Sequence, residues 1–339
     1  MKWRGRRQSR NVNDRRGSSY GGGGRRPLPR MAIGGGLGGG GLIILLIILL
    51  LTRGGPFDIF NNSSGAEHAP QQQGSYQESS LEKERREFLS VVLAETEDAW
   101  HTVFDGLGEH YHEPQLTLFT GHVRSACGTA SSAVGPFYCG NDQNIYIDLD
   151  FFDEMQHQLG AGGDFAMAYV LAHEVGHHVQ NELGVLDQVN QLRRRVSETE
   201  ANDLTVRLEL QADYLAGVWG HYAEEVGILE EGDIAEAIRA TEAIGDDTLQ
   251  KKAQGYVVPD SFTHGTSEQR TRWFLKGFKA GDLSGWDTFS AASSRELYAA
   301  GEDELPGAAP QGEGSALFFT LPDLEADSLK RLCLPGRGH

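Results

Sequence analysis

Residues 171–178 read Leu-Ala-His-Glu-Val-Gly-His-His and contain the pattern HExxH within a longer apolar stretch. On a helix, residues four apart share one face, so the imidazoles of His173 and His177 can converge on a single metal ion. Histidines at this spacing are typical of zinc sites, and the glutamate between them can accept a proton from water. The pattern predicts that His173 and His177 bind zinc and that Glu174 is the general base.

HExxH fixes only three of its five positions and therefore also arises by chance in proteins that bind no metal. In this chain the flanking residues are apolar, which predicts a buried helix, and unpaired histidines on a buried helix would be costly. Gly176 adds room for close packing beside the histidines. These features favour a metal site.

A second pair of polar residues, Glu209 and Asp213, lies in the segment 198–225, which has the pattern of a long buried helix. A carboxylate from Glu209 would complete a set of two histidines and one glutamate, which leaves a zinc position open for water and is typical of catalytic zinc. Asp213, four residues further on, is placed to accept the remaining ring N–H of a histidine ligand. The alternative is an acidic helix face exposed to solvent.

These motifs together resemble the bacterial family of neutral zinc metallopeptidases, whose members carry an amino-terminal membrane segment. They are also similar, more distantly, to gluzincin peptidases, which pair HExxH with a downstream ExxxD. The resemblance covers about residues 80–285 and includes the stretches Cys-Gly-Asn-Asp-Gln-Asn-Ile-Tyr at 139–146 and His-Gly-Thr-Ser-Glu-Gln-Arg at 264–270. It implies a zincin-like fold, a Zn²⁺ cofactor and a peptide or protein substrate.

Two residues of the 264–270 stretch are candidates for further roles. His264 resembles the downstream histidine with which gluzincin-like peptidases stabilise the oxyanion, and we therefore include it with Glu174 as catalytic. Its alternative role is structural, as a cap of the helix that begins near Ser267. Arg270 could orient the substrate or form a structural ion pair, and we favour the ion pair.

The pattern of apolar residues predicts an α+β domain over residues 81–290, mainly helical with a small sheet. Apolar residues recur at steps of three and four from Leu81 onward, as in a helix. Residues 144–149 alternate between apolar and polar, as in a half-buried strand. A polar linker at residues 52–80 precedes the domain. An acidic tail rich in glycine and proline follows at residues 291–339, and we expect it to be flexible.

Charge is distributed unevenly along the 339 residues, whose formal net charge is −18. Residues 1–30 hold ten basic side chains and one acidic one, whereas the chain after Arg53 is strongly acidic. Residues 31–51 carry no charge, and a helix of this length would span about 31 Å, close to the thickness of a bilayer core. Because basic residues remain on the cytoplasmic side, we expect a disordered cytoplasmic head, a single transmembrane helix and an exported domain.

Two alternatives to this membrane topology are a cleaved signal peptide and a nucleic-acid-binding head. The sequence Thr-Arg-Gly-Gly at 52–55 offers no small-x-small cleavage site, which favours an uncleaved anchor. The basic head is sufficiently explained as a topology signal, so we expect no nucleic-acid partner. Cys127 and Cys139 could form a disulfide in an oxidising compartment or remain two thiols, and Cys333 is left over.

The sequence therefore predicts a single-pass inner-membrane zinc metallopeptidase with a cytoplasmic amino terminus and a catalytic domain in the periplasm or another extracytoplasmic space. It would hydrolyse peptide bonds with a zinc-activated water and Glu174 as general base. The alternative is an extracytoplasmic binding or scaffold domain that zinc stabilises without turnover. The presence of Glu174 argues against that alternative, because a structural zinc site needs no general base.

Overall fold

The computed structural model describes residues 1–17 and 76–290. Within these ranges the strands are β1 (Val12–Asp14), β2 (Gln115–Phe119), β3 (His122–Ser125), β4 (Gly128–Ser131), β5 (Phe137–Cys139) and β6 (Asn144–Asp148). The helices are α1 (Ser80–Leu107), α2 (Asp150–Leu159), α3 (Asp164–Glu182), α4 (Val185–Arg193), α5 (Glu198–Glu225), α6 (Asp233–Ala243), α7 (Asp246–Gln254) and α8 (Ser267–Ala280). The predicted α+β class, mainly helical with little sheet, is confirmed.

None of the helices in the two described ranges is both long and apolar enough to cross a bilayer. The predicted span at residues 31–51, nearly all of the linker at residues 52–80 and the tail at residues 291–339 lie outside the described residues. Their structures remain predictions from the sequence.

Three helices begin with a capping box, in which the side chains of the N-cap and of the third helical residue each bond to the other's backbone N–H. The pairs are Ser79 with Glu82, Ser197 with Glu200 and Thr266 with Gln269. Each pair satisfies backbone groups that a helix end leaves without partners. The caps define the starts of α1, α5 and α8, and the last two of these helices carry residues of the site.

The larger sheet has the strand order β1-β2-β6-β5, in which β5 alone runs antiparallel to its neighbour. All five residues of β6 are buried, so the prediction of a half-buried strand at 144–149 is wrong. The reason is that successive side chains point to opposite faces, and both faces of this strand are covered. Beside the sheet, β3 and β4 form a hairpin. Cys127 lies in the turn of this hairpin and forms a disulfide with Cys139.

Glycines allow the central helices to approach each other at backbone distance. A Cβ on Gly176 of α3 would lie 3.0 Å from the carbonyl oxygen of Ala212 on α5. Where α5 crosses α8, a Cβ on Gly277 would overlap the backbone of Tyr214. These crossings bring side chains of α3, α5 and α8 within reach of one another.

The amino-terminal segment, residues 1–17, belongs to the same fold. The prediction that residues 1–30 form a disordered head is therefore wrong for these residues. Strand β1 pairs in parallel with β2, and the ring of Trp3 packs edge-on against Phe88 of α1 with 5.5 Å between centroids. The segment remains ordered despite its charge because acidic residues of α1 pair with its arginines.

We predict that replacing Gly277 with alanine destabilises the fold, although alanine has the higher helix propensity by about 1 kcal/mol. The added methyl group would overlap the backbone of Tyr214, and overpacking of this kind costs about 1–3 kcal/mol or more. Gly106 in α1 is the control, because a Cβ added there would have no described atom within 4 Å apart from its chain neighbours and the backbone of its own helix. Gly106→Ala should leave stability unchanged or raise it by up to about 1 kcal/mol. Denaturant unfolding measures both, and equal stability of the two variants would contradict the close crossing.

Candidate metal centre

Helices α3 and α5 bring the three predicted zinc ligands together. His173 and His177 lie one turn apart on α3, and Glu209 faces them from α5. One atom from each residue lies within 4.8 Å of the other two, and all three residues are buried. The Nε2 atoms of His173 and His177 are 3.1 Å and 3.6 Å from Oε2 of Glu209. The predicted ligand set is therefore one cluster in space.

His173 is oriented by Asp213, as the spacing on the two helices predicted. Oδ1 of Asp213 lies 2.8 Å from Nδ1 of His173. Because a carboxylate only accepts, Nδ1 of His173 carries a hydrogen and Nε2 is the atom that faces Glu209. Burial lowers the pKa of His173, but Asp213 outweighs burial and the pKa is raised to about 9. The carboxylates of Asp213 and Glu209 therefore stabilise positive charge on the ring between them. A metal ion at Nε2 would displace the proton there.

His177 is oriented by Gln180, which lies three residues later on the same helix. Oε1 of Gln180 is 2.8 Å from Nδ1 of His177, while its Nε2 donates to the carbonyl oxygen of Leu208 on α5. The amide group therefore presents its oxygen to the ring, which places the hydrogen of His177 on Nδ1 and leaves Nε2 free to bind a metal. Sequence analysis missed Gln180, although its spacing from His177 was a signal that could have found it.

Asp213 is itself held by three donors besides His173. It accepts from the hydroxyl of Tyr169 at 2.5 Å and from Nε and Nη2 of Arg270 at 2.8 Å and 2.9 Å. Burial opposes ionisation of Asp213, but Arg270 outweighs it and holds the pKa of that carboxyl below its ordinary value. Of the two roles considered for Arg270, the structure contains the ion pair. Tyr169, four residues before His173, is a second site residue that sequence analysis missed.

Five buried polar atoms at the centre have no hydrogen-bond partner within the described ranges: Oε2 of Glu174, Nε2 of His177, Oε1 of Glu209, Nε2 of His264 and Nη1 of Arg270. An unpaired buried polar group costs about 1–3 kcal/mol. Such a concentration is expected where a metal ion, water and substrate supply the missing partners. Two imidazole nitrogens and a carboxylate oxygen are a typical donor set for catalytic Zn²⁺, so these residues fit zinc.

The two glutamates at the centre differ in their acidity. Burial raises the pKa of Glu174 above its ordinary value. Burial acts on Glu209 in the same direction, but the charge of His177 and the hydrogen bonds of His173 and His177 together outweigh it and hold the pKa of Glu209 well below its ordinary value. Glu209 is therefore the permanent anion that suits a metal ligand, and Glu174 is the carboxylate that more readily takes up a proton.

His264 lies in the loop between α7 and α8 and is almost completely buried. Its Nδ1 is 3.1 Å from Oδ1 of Asp246, whose other oxygen accepts the backbone N–H of His264 at 2.6 Å. The helix that follows is capped by Thr266, so the alternative role of His264 as a cap is absent. The loop packs on α5, because a Cβ on Gly265 would lie 3.3 Å from the side chain of Leu210. Nothing in the sequence around Asp246 marked it as the partner of this histidine.

Two other features do not belong to the centre. His178 is bonded to the hydroxyl of Tyr138 and to the carbonyl oxygen of His112, so it is part of the core. Three acidic residues, Asp164, Asp233 and Glu236, also lie close together. That cluster already faces a cation, because the ammonium group of Met1 lies 2.7 Å from Oδ2 of Asp164 and 3.5 Å from Oδ2 of Asp233.

We predict that Gln180→Leu lowers zinc affinity by about 10–100-fold, because Nδ1 of His177 loses its acceptor and the ring its orientation. Asp213→Asn weakens the contact to His173 and should lower zinc affinity by a similar factor. The control is His178→Leu, which removes a neighbouring buried polar group bonded away from the centre and should lower stability while leaving zinc affinity unchanged. Competition with a chelator measures all three. Equal zinc affinity for Gln180→Leu and His178→Leu would show that Gln180 does not orient the ligand.

Comparison with known proteins agrees with this geometry. A model of the family described as "Putative neutral zinc metallopeptidase" matches residues 1–289. The uncharacterized protein YpfJ of Escherichia coli strain K12 is 49% identical over 289 residues, which cover 85% of this chain and 99% of the relative. The uncharacterized protein Mb2605 of Mycobacterium bovis is 43% identical over 216 residues, covering 60% of this chain and 72% of the relative. No solved structure was found to match. The chain belongs to the neutral zinc metallopeptidase family.

Proposed function

We propose that the chain hydrolyses peptide bonds, with His173, His177 and Glu209 holding zinc and Glu174 acting as general base. Zinc is the metal of the family, and the donor set fits it. The observation that supports catalysis, beyond metal binding, is the position of Glu174. Its carboxylate is buried next to a ligand and has an oxygen without a partner among the described residues. A zinc site that only stabilised a binding or scaffold domain would gain nothing from such a group and would incur its desolvation cost.

Zinc, when bound, supplies Lewis-acid chemistry, which lowers the pKa of water and polarises the carbonyl group of the substrate. The carboxylate of Glu174 accepts the proton of the attacking water. Its raised pKa brings it closer to the range in which a base can both take up and release a proton near neutral pH. Glu174 then gives that proton to the nitrogen of the leaving amine.

His264 is proposed to stabilise the oxyanion that forms on the substrate. Its Nδ1–H is directed at Asp246, so Nε2 can donate a hydrogen bond only from the protonated ring. Nε2 is one of the buried atoms without a partner among the described residues, as expected of a donor that is used only when substrate is present.

The disulfide between Cys127 and Cys139 supports a location for the zinc domain in an oxidising compartment, outside the cytoplasm. Membrane attachment through residues 31–51 remains a prediction from the sequence. Peptides or proteins that reach that compartment are the proposed substrates.

We predict that Glu174→Gln keeps its zinc but loses turnover by about 10²–10⁴-fold, since glutamine has nearly the same size and cannot accept the proton. Zinc content of the purified protein and the number of new termini generated in an extracytoplasmic protein mixture measure the two effects. Glu182→Gln is the matched control, because it makes the same chemical change on the same helix at a glutamate bonded to His112. Loss of zinc from Glu174→Gln would make Glu174 a ligand, and full turnover of this variant would place the general base elsewhere.

We predict that His264→Ala keeps zinc and lowers kcat by about 10²–10³-fold with little change in KM, because an oxyanion donor acts mainly in the transition state. His264→Gln retains a neutral donor and should recover part of kcat. Kinetics with a peptide cleaved by the native protein, together with melting temperatures, provide the test. If both variants had equally lowered melting temperatures but the native kcat, His264 would have a structural role.

A further inference from the structure

The first described range ends, at Gly17, beside the residue with which the second range begins, Tyr76. Gly17 lies directly against Tyr76, because a Cβ on Gly17 would overlap the side chain of Tyr76. The guanidinium group of Arg16 lies over the Tyr76 ring, 5.6 Å from its centroid, and Nη2 of Arg16 is 2.5 Å from Oε1 of Glu78. The end of the amino-terminal segment and the start of the zinc domain are therefore neighbours.

Ion pairs hold the amino-terminal segment along α1. Nη1 of Arg6 lies 2.8 Å from Oε1 of Glu95, and Arg7 reaches Oε2 of Glu97 at 3.0 Å and Oδ1 of Asp98 at 2.8 Å. The side chains of Glu95 and Glu97 are only 8% and 2% exposed. Carboxylates buried to this degree need a partner, because losing it leaves an uncompensated charge away from water. The domain therefore depends on cations that residues 1–17 supply.

Backbone hydrogen bonds connect the same segment to three parts of the domain. The N–H groups of Ser9 and Lys2 donate to the carbonyl oxygens of Ser90 on α1 and Ile228 after α5, at 2.9 Å and 2.7 Å. Strand β1 pairs with β2, which would be the edge strand of the sheet without it. An uncovered edge would expose a row of unpaired backbone groups. The segment is thus built into the domain as one of its strands.

A single membrane crossing between residues 31 and 51 would place residues 1–17 and 76–290 on opposite sides of a bilayer. The contacts of the segment require residues 1–17 to touch residues 76–290, so a folded molecule cannot have both these contacts and a single membrane crossing between them. We propose that residues 1–17 and 76–290 fold together on one side of any membrane with which the chain associates. This replaces the predicted arrangement of a cytoplasmic head and an exported domain, and it does not depend on the proposed peptidase activity.

Cysteine labelling in cells tests the proposal. Arg10 in the segment and Lys251 in α7 are both exposed. Each is replaced by cysteine in a separate full-length variant that also carries Cys333→Ser. The protein with Cys333→Ser alone measures background labelling. A membrane-impermeant maleimide is applied to spheroplasts and, separately, to lysates. Arg10→Cys and Lys251→Cys should behave alike, either both labelled in spheroplasts or both only after lysis. If one is labelled in spheroplasts and the other only after lysis, a membrane separates them and the proposal is wrong.

A second measurement asks whether the segment is docked in the purified full-length protein. Arg7→Glu places a negative charge beside Glu97 and Asp98 and should lower the melting temperature and increase proteolytic cleavage within residues 1–17. Arg10→Glu makes the same charge change on the exposed side of the segment and should resemble the native protein. Identical melting and cleavage of Arg7→Glu, Arg10→Glu and native protein would show that the segment is not docked, and the basis for a shared compartment would be lost.

Discussion

One buried carboxylate, Asp213, joins the three helices on which the centre depends. From α5 it accepts hydrogen bonds from Tyr169 and His173 on α3 and from Arg270 on α8. An ionised group with no solvent exposure is tolerated only when it is paired and fully hydrogen-bonded, so the carboxylate restricts where the other three side chains can lie. The glycines at the crossings of α3, α5 and α8 allow these bonds to form, because any side chain there would hold the helices apart.

The centre contains both paired and unpaired buried charges, and the difference separates structural from chemical roles. Asp213 and Arg270 neutralise each other directly. Glu174 has an oxygen without a hydrogen-bond partner among the described residues, and burial raises the pKa of this carboxyl. A pair of carboxylates whose environments move their pKa values apart is a common basis for acid–base chemistry. In this centre Glu174 and Glu209 form such a pair on adjacent helices.

The parts of the centre that could be predicted from sequence are those set by helical spacing. His173 with His177 and Glu209 with Asp213 are each four residues apart, and this local geometry holds whatever the rest of the chain does. Contacts between distant segments carried no such signal, as for His264 with Asp246. The amino-terminal segment was misjudged because composition describes its excess of arginine but not the carboxylates of α1 that neutralise it. The buried strand β6 was misjudged for a similar reason, since one strand's pattern does not reveal what covers its second face.

The amino-terminal segment also connects to the centre, through the first turn of α3. Asp164 begins that helix and accepts the ammonium group of Met1, and Phe165 donates its backbone N–H to Glu236 of α6. Acidic groups at this end stabilise a helix by interacting with its dipole and its free N–H groups. Because α3 carries both proposed histidine ligands, a displacement at its start would be transmitted along a rigid element to His173 about two turns later. The strand and ion pairs that dock residues 1–17 therefore act on the same helix whose position decides whether His173 and His177 meet Glu209.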